Sequence, residues 1–309
     1  LAGATVTGWG WALPPERVSN SDLEARLDTS DAWITERTGI RERRVGGSTT
    51  GLAAEAGWMA LERARVSPSD VQLLMVSTNT PDQPVPCTSA LVQAELGLSG
   101  GVFDLNSGCS GFIYGLVVAN GLIATGVERI LFIASDTVSS IVDRDDRTTA
   151  VLFGDAAGAV MLEAVPGEGV LAGWDLGADG KAASLLYRLD GGYVKMDGRE
   201  VFRRAVRATV ESARSALERA KVTAEEVSLF IPHQANLRII EAVANRIGIP
   251  MDRTAVNLDR VGNTSSASIP LVLAEVADSG RLAEGDVVLL AGFGAGMTWA
   301  SAVLRWSPS

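Results

Sequence analysis

Histidine is almost missing from this chain: His233 is the only one among 309 residues. Imidazole chemistry therefore has one possible location. Cysteine is nearly as scarce, with only Cys87 and Cys109. Two thiols in a chain this size do not form a disulfide framework, and one His with two Cys falls short of a structural zinc site. No apolar run approaches the length of a spanning helix. The opening residues lack the basic-plus-apolar pattern of a signal segment. Both absences favour a cytoplasmic protein with no membrane partner. Positive charge is in deficit, with 27 Lys and Arg against 37 Asp and Glu and a formal charge of −10, which argues against nucleic-acid binding. Aromatics make up only 6% of the chain while glycines number 33, a composition suited to closely packed layers joined by many turns.

What is present is a large apolar core: 47% of residues are hydrophobic and 21% charged. Apolar runs and helical periodicity alternate. Strands are expected at 5–14, 71–78, 101–105 and 129–135. Helices are expected at 19–27, opened by Ser19, Asn20 or Ser21, at 52–65, at 88–96 with a stop at Gly97, and, after the segment Asn106–Phe112 with Cys109 at its N-terminus, a long apolar one to about Thr125. A helical turn after Ser30 ends at Gly39. Residues 151–162 read as two strand-like runs broken by small residues. Basic residues cluster at Lys195, Arg199, Arg203, Arg204, Arg207 and Arg214, within twenty positions. Such a run is usually a solvated helix face with its own carboxylates, here Asp197, Glu200 and Glu211, but on an acidic protein it also offers a patch that steers an acidic partner.

The pattern then recurs. Residues 60–80, ALERARVSPSDVQLLMVSTNT, align without gaps to 216–236, ALERAKVTAEEVSLFIPHQAN, with eight identities at an offset of 156. The same offset sets Cys109 opposite Ser265, each at the head of an apolar helix. It brings the strand 130–135 opposite 287–292, one residue out of step. Two similar α/β halves are expected, 1–165 and 166–309. Buried strands alternating with helices imply mainly parallel sheets covered by helices, with reactive loops at the strand C-terminal ends. The loops 106–111, 233–236 and 262–266 then become neighbours.

Cys109 follows a strand, sits between glycines and precedes a helix, where unpaired amides and the helix dipole favour a thiolate. A lone cysteine is as often a small buried residue, and Cys87, which lacks that setting, is read so. His233 follows Pro232 at a strand end. Asn263 stands before a helix, where it also suits a cap. The run Ala291-Gly292-Phe293-Gly294-Ala295-Gly296 brings backbone amides close to whatever it faces. A nucleophile, an imidazole, an amide and a glycine loop permit two chemistries. In a cysteine hydrolase, Asn orients a His that activates Cys. In a condensing enzyme, His and Asn both face a thioester oxygen and stabilise an enolate.

The motifs around Thr29–Ile34, 37–43, Gly108-Cys109-Ser110-Gly111, 153–158, 232–240, Gly262-Asn263-Thr264-Ser265 and 292–296 occur in order over nearly the whole length. With them the chain resembles the β-ketoacyl-acyl-carrier-protein synthase III family of the thiolase superfamily. The resemblance implies a five-layer αβαβα fold made of two duplicated halves and a homodimer. It implies no metal and no cofactor, acyl-CoA being a substrate. Cys109 would carry the acyl thioester, and His233 and Asn263 would bind the malonyl thioester carbonyl. The amides of Cys109 and Ala295 would form the oxyanion hole, and Phe293 would face the departing carboxylate. No second His is available for the elongating His–His subclass. Trp33, Arg37 and Arg147 match positions that contact CoA. Gln234, Ala235, Asn236, Leu237 and Arg238, with Arg203 and Arg246, match or extend the carrier-protein surface. Arg207 and Arg214 are read as plain surface.

Two departures from the family pattern carry meaning. Val85 stands where many relatives have Phe reaching the partner subunit's acyl pocket, so longer or branched primers would be admitted. The segment between Gly180 and Met196 is shorter than in typical relatives. The resemblance therefore implies decarboxylative condensation of an acyl-CoA primer with malonyl-acyl-carrier protein at the start of fatty-acid synthesis. A related enzyme of secondary metabolism and a cysteine thioester hydrolase are the alternatives.

Overall fold

The computed structural model describes residues 2–307. The first half contributes strands β1 (Ala2–Ala12), β2 (Glu16–Ser19), β3 (Glu42–Val45), β4 (Leu73–Ser77), β5 (Gly101–Leu105), β6 (Arg129–Thr137) and β7 (Asp155–Pro166). Its helices are α1 (Asn20–Glu24), α2 (Asp31–Thr38), α3 (Thr49–Ala64), α4 (Thr88–Leu96), α5 (Gly111–Ala124) and α6 (Arg147–Ala150). The second half adds β8 (Leu171–Ala178), β9 (Leu186–Tyr187), β10 (Lys195–Met196), β11 (Leu229–Pro232), β12 (Val287–Gly294) and β13 (Thr298–Arg305). Its helices are α7 (Gly198–Ala220), α8 (Leu237–Ile247), α9 (Leu258–Val261) and α10 (Ser268–Asp278).

One sheet runs β1-β7-β6-β4-β5 and the other β8-β13-β12-β11, so four strands of each occur in corresponding order. Helices α5 and α10 lie between the sheets, while α3 and α4 cover one outer face and α7 and α8 the other. This is the five-layer arrangement. Its inner core joins both halves: Phe112 of α5 stacks on Phe132 of β6 at 5.2 Å, and the same cluster contains Ile231, Val272, Leu290 and Trp306.

The duplication extends to backbone detail. Helices α3 and α7 both end on a non-glycine residue in the left-handed region, Arg65 at φ 57° and Lys221 at φ 54°, positions that are 156 apart. Each cap amide bonds back into its own last turn. A Cβ on Gly8 would lie 2.2 Å from Ala60 O, and one on Gly173 would lie 2.6 Å from Ala216 O. Strand and helix thus touch at equivalent points in both halves.

Three expectations need correction. The sheets are mixed rather than mainly parallel, because β7 runs antiparallel to β6 and β1, and β13 antiparallel to β12 and β8. The three-residue link from Gly294 to Thr298 is too short for the crossover a parallel neighbour needs. Residues 151–162 are a turn followed by one strand, β7, rather than two strands. The helix expected to begin at Cys109 starts two residues on, at Gly111, because Gly108 holds φ 59° and breaks the path. The 180–196 segment is a 3-10 turn leading into the β9–β10 ribbon, with Tyr187 paired to Lys195.

Gly8→Val or Gly173→Val should force strand from helix and lower stability by about 2 kcal/mol or more, seen as a depressed melting temperature. Gly121→Ala, on the exposed face of α5 with nothing within 4 Å of the added Cβ, should instead raise stability by roughly 0.5–1 kcal/mol.

Candidate active site

Cys109 sits in the turn between β5 and α5. Ser110 anchors that turn, its hydroxyl donating to Ser107 O at 2.8 Å and lying 2.8 Å from the Thr298 hydroxyl. Thr298 also donates to Ser107 O at 2.8 Å. The glycine loop after β12 packs directly on this turn. A Cβ on Gly294 would lie 2.3 Å from Cys109 N, and one on Gly108 would lie 2.7 Å from Ala295 N. Only residues without side chains allow this approach, and it sets the Cys109 and Ala295 amides beside the thiol.

His233 follows β11, which pairs parallel with β12, and its amide donates to Ala291 O at 2.8 Å. The ring is buried. Its Nδ1 is 2.7 Å from Ser268 Oγ, and it stands edge-on to Phe293 with centroids 5.5 Å apart. Asn263 is tied to the opposite half: its amide donates to Leu152 O at 2.8 Å and its carbonyl accepts from Gly154 N at 3.0 Å. Its side-chain Oδ1 accepts from Ser265 N at 2.9 Å, which leaves the Nδ2 donors as the free end of the amide.

Two cavities meet at Cys109. One, of about 140 Å³, is lined by His233, Asn263 and Phe293 together with apolar Leu186, Val201 and Phe202. The other, of about 280 Å³, is lined by Asn79, Val138, Ile141, Leu186, Val194 and Ser265. A thioester reaching the sulfur from the first cavity has room for its acyl chain in the second.

The electrostatics of the pair are dominated by exclusion of water. Burial pushes the Cys109 thiol up to about 12, opposed in part by a hydrogen bond from Ser265, raised further by the charge of Asp136 and lowered slightly by its own amide. Burial thus opposes the thiolate expected at a helix start, and Cys109 lies ahead of the first helical residue, Gly111. Burial also lowers His233 from 6.5 to about 3, so the imidazole is neutral at physiological pH. Ser268 Oγ accepts from Gln234 N; in the tautomer whose Nδ1 accepts the Ser268 hydroxyl proton, Nε2–H is the remaining ring donor.

Trp33, Arg37 and Arg147 come together on the surface. The Arg37 guanidinium lies 5.1 Å and that of Arg147 4.9 Å from the indole centroid. Arg147 reaches across from α6 and donates to Asp28 O. Such a cluster suits a nucleotide ring and its phosphates. Arg203 and Arg246 line one groove with Arg204, Arg207, Asp179, Glu211 and Trp299, where the exposed Arg207 pairs with Glu211. Arg238 is exposed at the start of α8, and Leu237 packs on the αL residue Gly39. Asn236 caps α8 and donates to Arg37 O at 3.0 Å. Ala235 is nearly buried.

Gln234 is a correction. It is fully buried, donates to Pro232 O and Ala255 O, and accepts from Asn257 N. It braces the loop from inside and has no surface to offer a carrier protein. Val85 is 82% exposed and lines neither cavity within one chain. Cys87 caps α4 away from both. Sequence reasoning missed Ser268, Asn79 and Asp136. Only Ser265 left a signal, as the position opposite Cys109 in the repeat.

Among the described residues no group of three or more His, Cys, Asp or Glu side chains could hold a metal ion, and no helix is long and apolar enough to cross a membrane. Fold and family define a thiolase-fold condensing enzyme, an acyltransferase. The family model described as 3-oxoacyl-[acyl-carrier-protein] synthase III matches residues 103–180, and that for its C-terminal part matches 217–306. The β-ketoacyl-[acyl-carrier-protein] synthase III of Roseiflexus castenholzii is 46% identical over 98% of each chain. The crystal structure of 3-oxoacyl-[acyl-carrier-protein] synthase III from Aquifex aeolicus matches with TM-score 0.96 at 42% identity, covering 98% of this chain and 100% of that one. The priming β-ketosynthase of the R1128 polyketide pathway matches at 0.93 and 35% identity, over 99% of this chain and 97% of that one. The chain belongs to the β-ketoacyl-[acyl-carrier-protein] synthase III family.

The depressed His233 has a measurable sign. Below 6.5 the unfolded chain binds a proton that the native imidazole refuses until about pH 3, so stability is lost as pH falls through that window. His233→Gln should flatten the fall in melting temperature between pH 7 and pH 4; a slope equal to that of the unmodified protein would contradict a neutral buried ring.

Proposed function

We propose that this protein initiates type II fatty-acid synthesis by condensing an acyl-CoA primer with malonyl-acyl-carrier protein, giving 3-oxoacyl-acyl-carrier protein. The observation that carries this reading is the meeting of two cavities at Cys109, with His233 and Asn263 lining only one of them. Cys109 attacks the primer thioester and the CoA thiol leaves with the proton. The Cys109 and Ala295 amides hold the oxyanion, and the chain occupies the cavity of Val138, Ile141 and Val194. The malonyl thioester carbonyl then accepts from His233 Nε2–H and Asn263 Nδ2. Carbon dioxide departs beside Phe293, whose apolar face disfavours the carboxylate. The enolate carbon attacks the acyl carbonyl, a C–C bond forms, the C–S bond breaks, and the departing Cys109 thiolate takes a proton from solvent.

A neutral histidine fits this role, since it donates one hydrogen bond without itself needing to change charge. A cysteine hydrolase would need the imidazole as base beside the sulfur. Here the side chain within hydrogen-bonding distance of the Cys109 sulfur is that of Ser265, which favours condensation. The 35% likeness to a polyketide priming synthase supports a secondary-metabolite pathway as the second reading. Trp33, Arg37 and Arg147 would bind CoA. Arg203, Arg246 and Arg238, with the exposed part of 235–238, would meet the acidic carrier protein. The working form would be a cytoplasmic homodimer of subunits with halves 1–165 and 166–309, in which Val85 reaches the partner's acyl cavity.

Intact-mass analysis should detect one acyl group on Cys109 after mixing with acyl-CoA, and Cys109→Ala should abolish it. His233→Ala and Asn263→Ala should still acylate but lose malonyl decarboxylation by about 100-fold or more; normal condensation by either would overturn the assignment. Arg203→Glu with Arg246→Glu should raise KM for malonyl-carrier protein severalfold and leave acylation from CoA unchanged. Across acetyl-, isobutyryl- and hexanoyl-CoA, Val85→Phe should narrow use to the shortest primer, and a strict acetyl preference in the unmodified protein would refute the role of Val85.

A further inference from the structure

Behind the Cys109 thiol runs a chain of hydrogen bonds that the reaction above does not use. Cys109 Sγ lies 3.4 Å from Ser265 Oγ. Ser265 Oγ accepts from Asn79 Nδ2 at 3.0 Å, and the same Nδ2 donates to Asp136 Oδ2 at 3.2 Å. Asp136 is fully buried at the end of β6. Its other donors are Thr78 Oγ1, Asn79 N and Thr80 Oγ1 on one oxygen, and Ser266 N and Ser266 Oγ on the other. These come from the loop after β4 and from the turn before α10, so one carboxylate clamps loops of both halves.

We propose that Asp136 and Asn79 form a positioning relay that turns the Ser265 hydroxyl into a hydrogen-bond donor to the Cys109 thiolate. The logic is donor counting. A carboxylate only accepts, so Asp136 fixes the Asn79 amide with its NH2 toward Asp136 and Ser265. Asn79 then fills one lone pair of Ser265 Oγ. Against a thiolate, the single Ser265 proton has the sulfur as its acceptor. Against the neutral thiol, rotation of that hydroxyl lets the S–H donate instead. Ser265 is held in place at φ 53°, a left-handed backbone that is unfavourable for a non-glycine residue and that marks a site where geometry is enforced. Its amide is pinned to Asn263 Oδ1, so the donor to the sulfur and the amide facing the malonyl carbonyl share one turn. The donor acts twice in each cycle: on the thiolate that attacks the primer, and on the thiolate expelled when the C–S bond breaks. A thioester sulfur is a poor acceptor, so the interaction favours the free enzyme over the acyl-enzyme and eases the second departure.

This inference rests on Cys109 being the reacting thiol, and its test does not require condensation. The charged and titratable groups around the sulfur are Asp136 behind Asn79, His233 across one cavity, and Tyr187 and Arg188 in the lining of the other, with Asp155 lying beyond Asp136. Iodoacetamide alkylation of Cys109, located by peptide mapping so that Cys87 is read separately, is measured from pH 6 to 10 on the full chain. Asn79→Ala and Ser265→Ala should each shift the profile to higher pH and slow alkylation at pH 8 by about tenfold, equivalent to one pKa unit. Asn79 lines a cavity and is half-exposed, so its variant decides the matter if Ser265→Ala folds poorly. Profiles that superimpose on that of the unmodified protein would overturn the relay. Normal alkylation without acyl transfer from any acyl-CoA would instead count against the functional reading.

Discussion

Cys109 and Ser265 touch, and they are 156 residues apart, the offset of the internal repeat. Equivalent points of the two halves therefore meet at the approximate two-fold that relates them. Everything else depends on that contact. Helices α5 and α10 start beside it and run between the sheets, which is why each is apolar around much of its circumference: each faces a sheet on both sides. The strand ends that carry the turns are brought within reach of one another by the same packing. Each half contributes one wall of a site that neither could build alone.

The second organising feature is dryness. His233 is buried and Cys109 is partly so, and burial has opposite effects on what each can do. The imidazole loses its proton and becomes a fixed neutral donor, oriented by Ser268. The thiol keeps its proton more tightly, so nearby dipoles must offset the loss of solvent. The donors assembled around the sulfur and in front of the histidine replace water with groups that need no reorganisation during reaction. The apolar faces of Phe293, Val201 and Phe202 maintain the low dielectric that makes those few hydrogen bonds strong.

Local elements with clear punctuation were legible in the chain. Helix α4 ends where Gly97 stops it, and α2 runs from its Ser30 cap to Gly39, whose φ of 80° no β-branched residue would accept comfortably. Features set by distant partners were not. The strand direction of β7 and β13 depends on how short a link can turn. The single strand from Asp155 is invisible in a run of small residues. Gln234 has the look of a surface polar residue, and only the carbonyls of Pro232 and Ala255 turn it inward. Asn79 and Asp136 lie in unremarkable loops, and nothing in their neighbourhood along the chain hints that they share Ser265.

The sequence by itself determined the inventory: one imidazole, one cysteine between glycines, an Asn-bearing turn, a glycine-rich loop and a repeat that puts Cys109 opposite Ser265. These are local identities and spacings, which chain order preserves. The tertiary structure decided which of them are dry, which way their donors point and which neighbours they acquire. Desolvation and hydrogen-bond direction are properties of the space around a side chain, and that space is filled by residues hundreds of positions away.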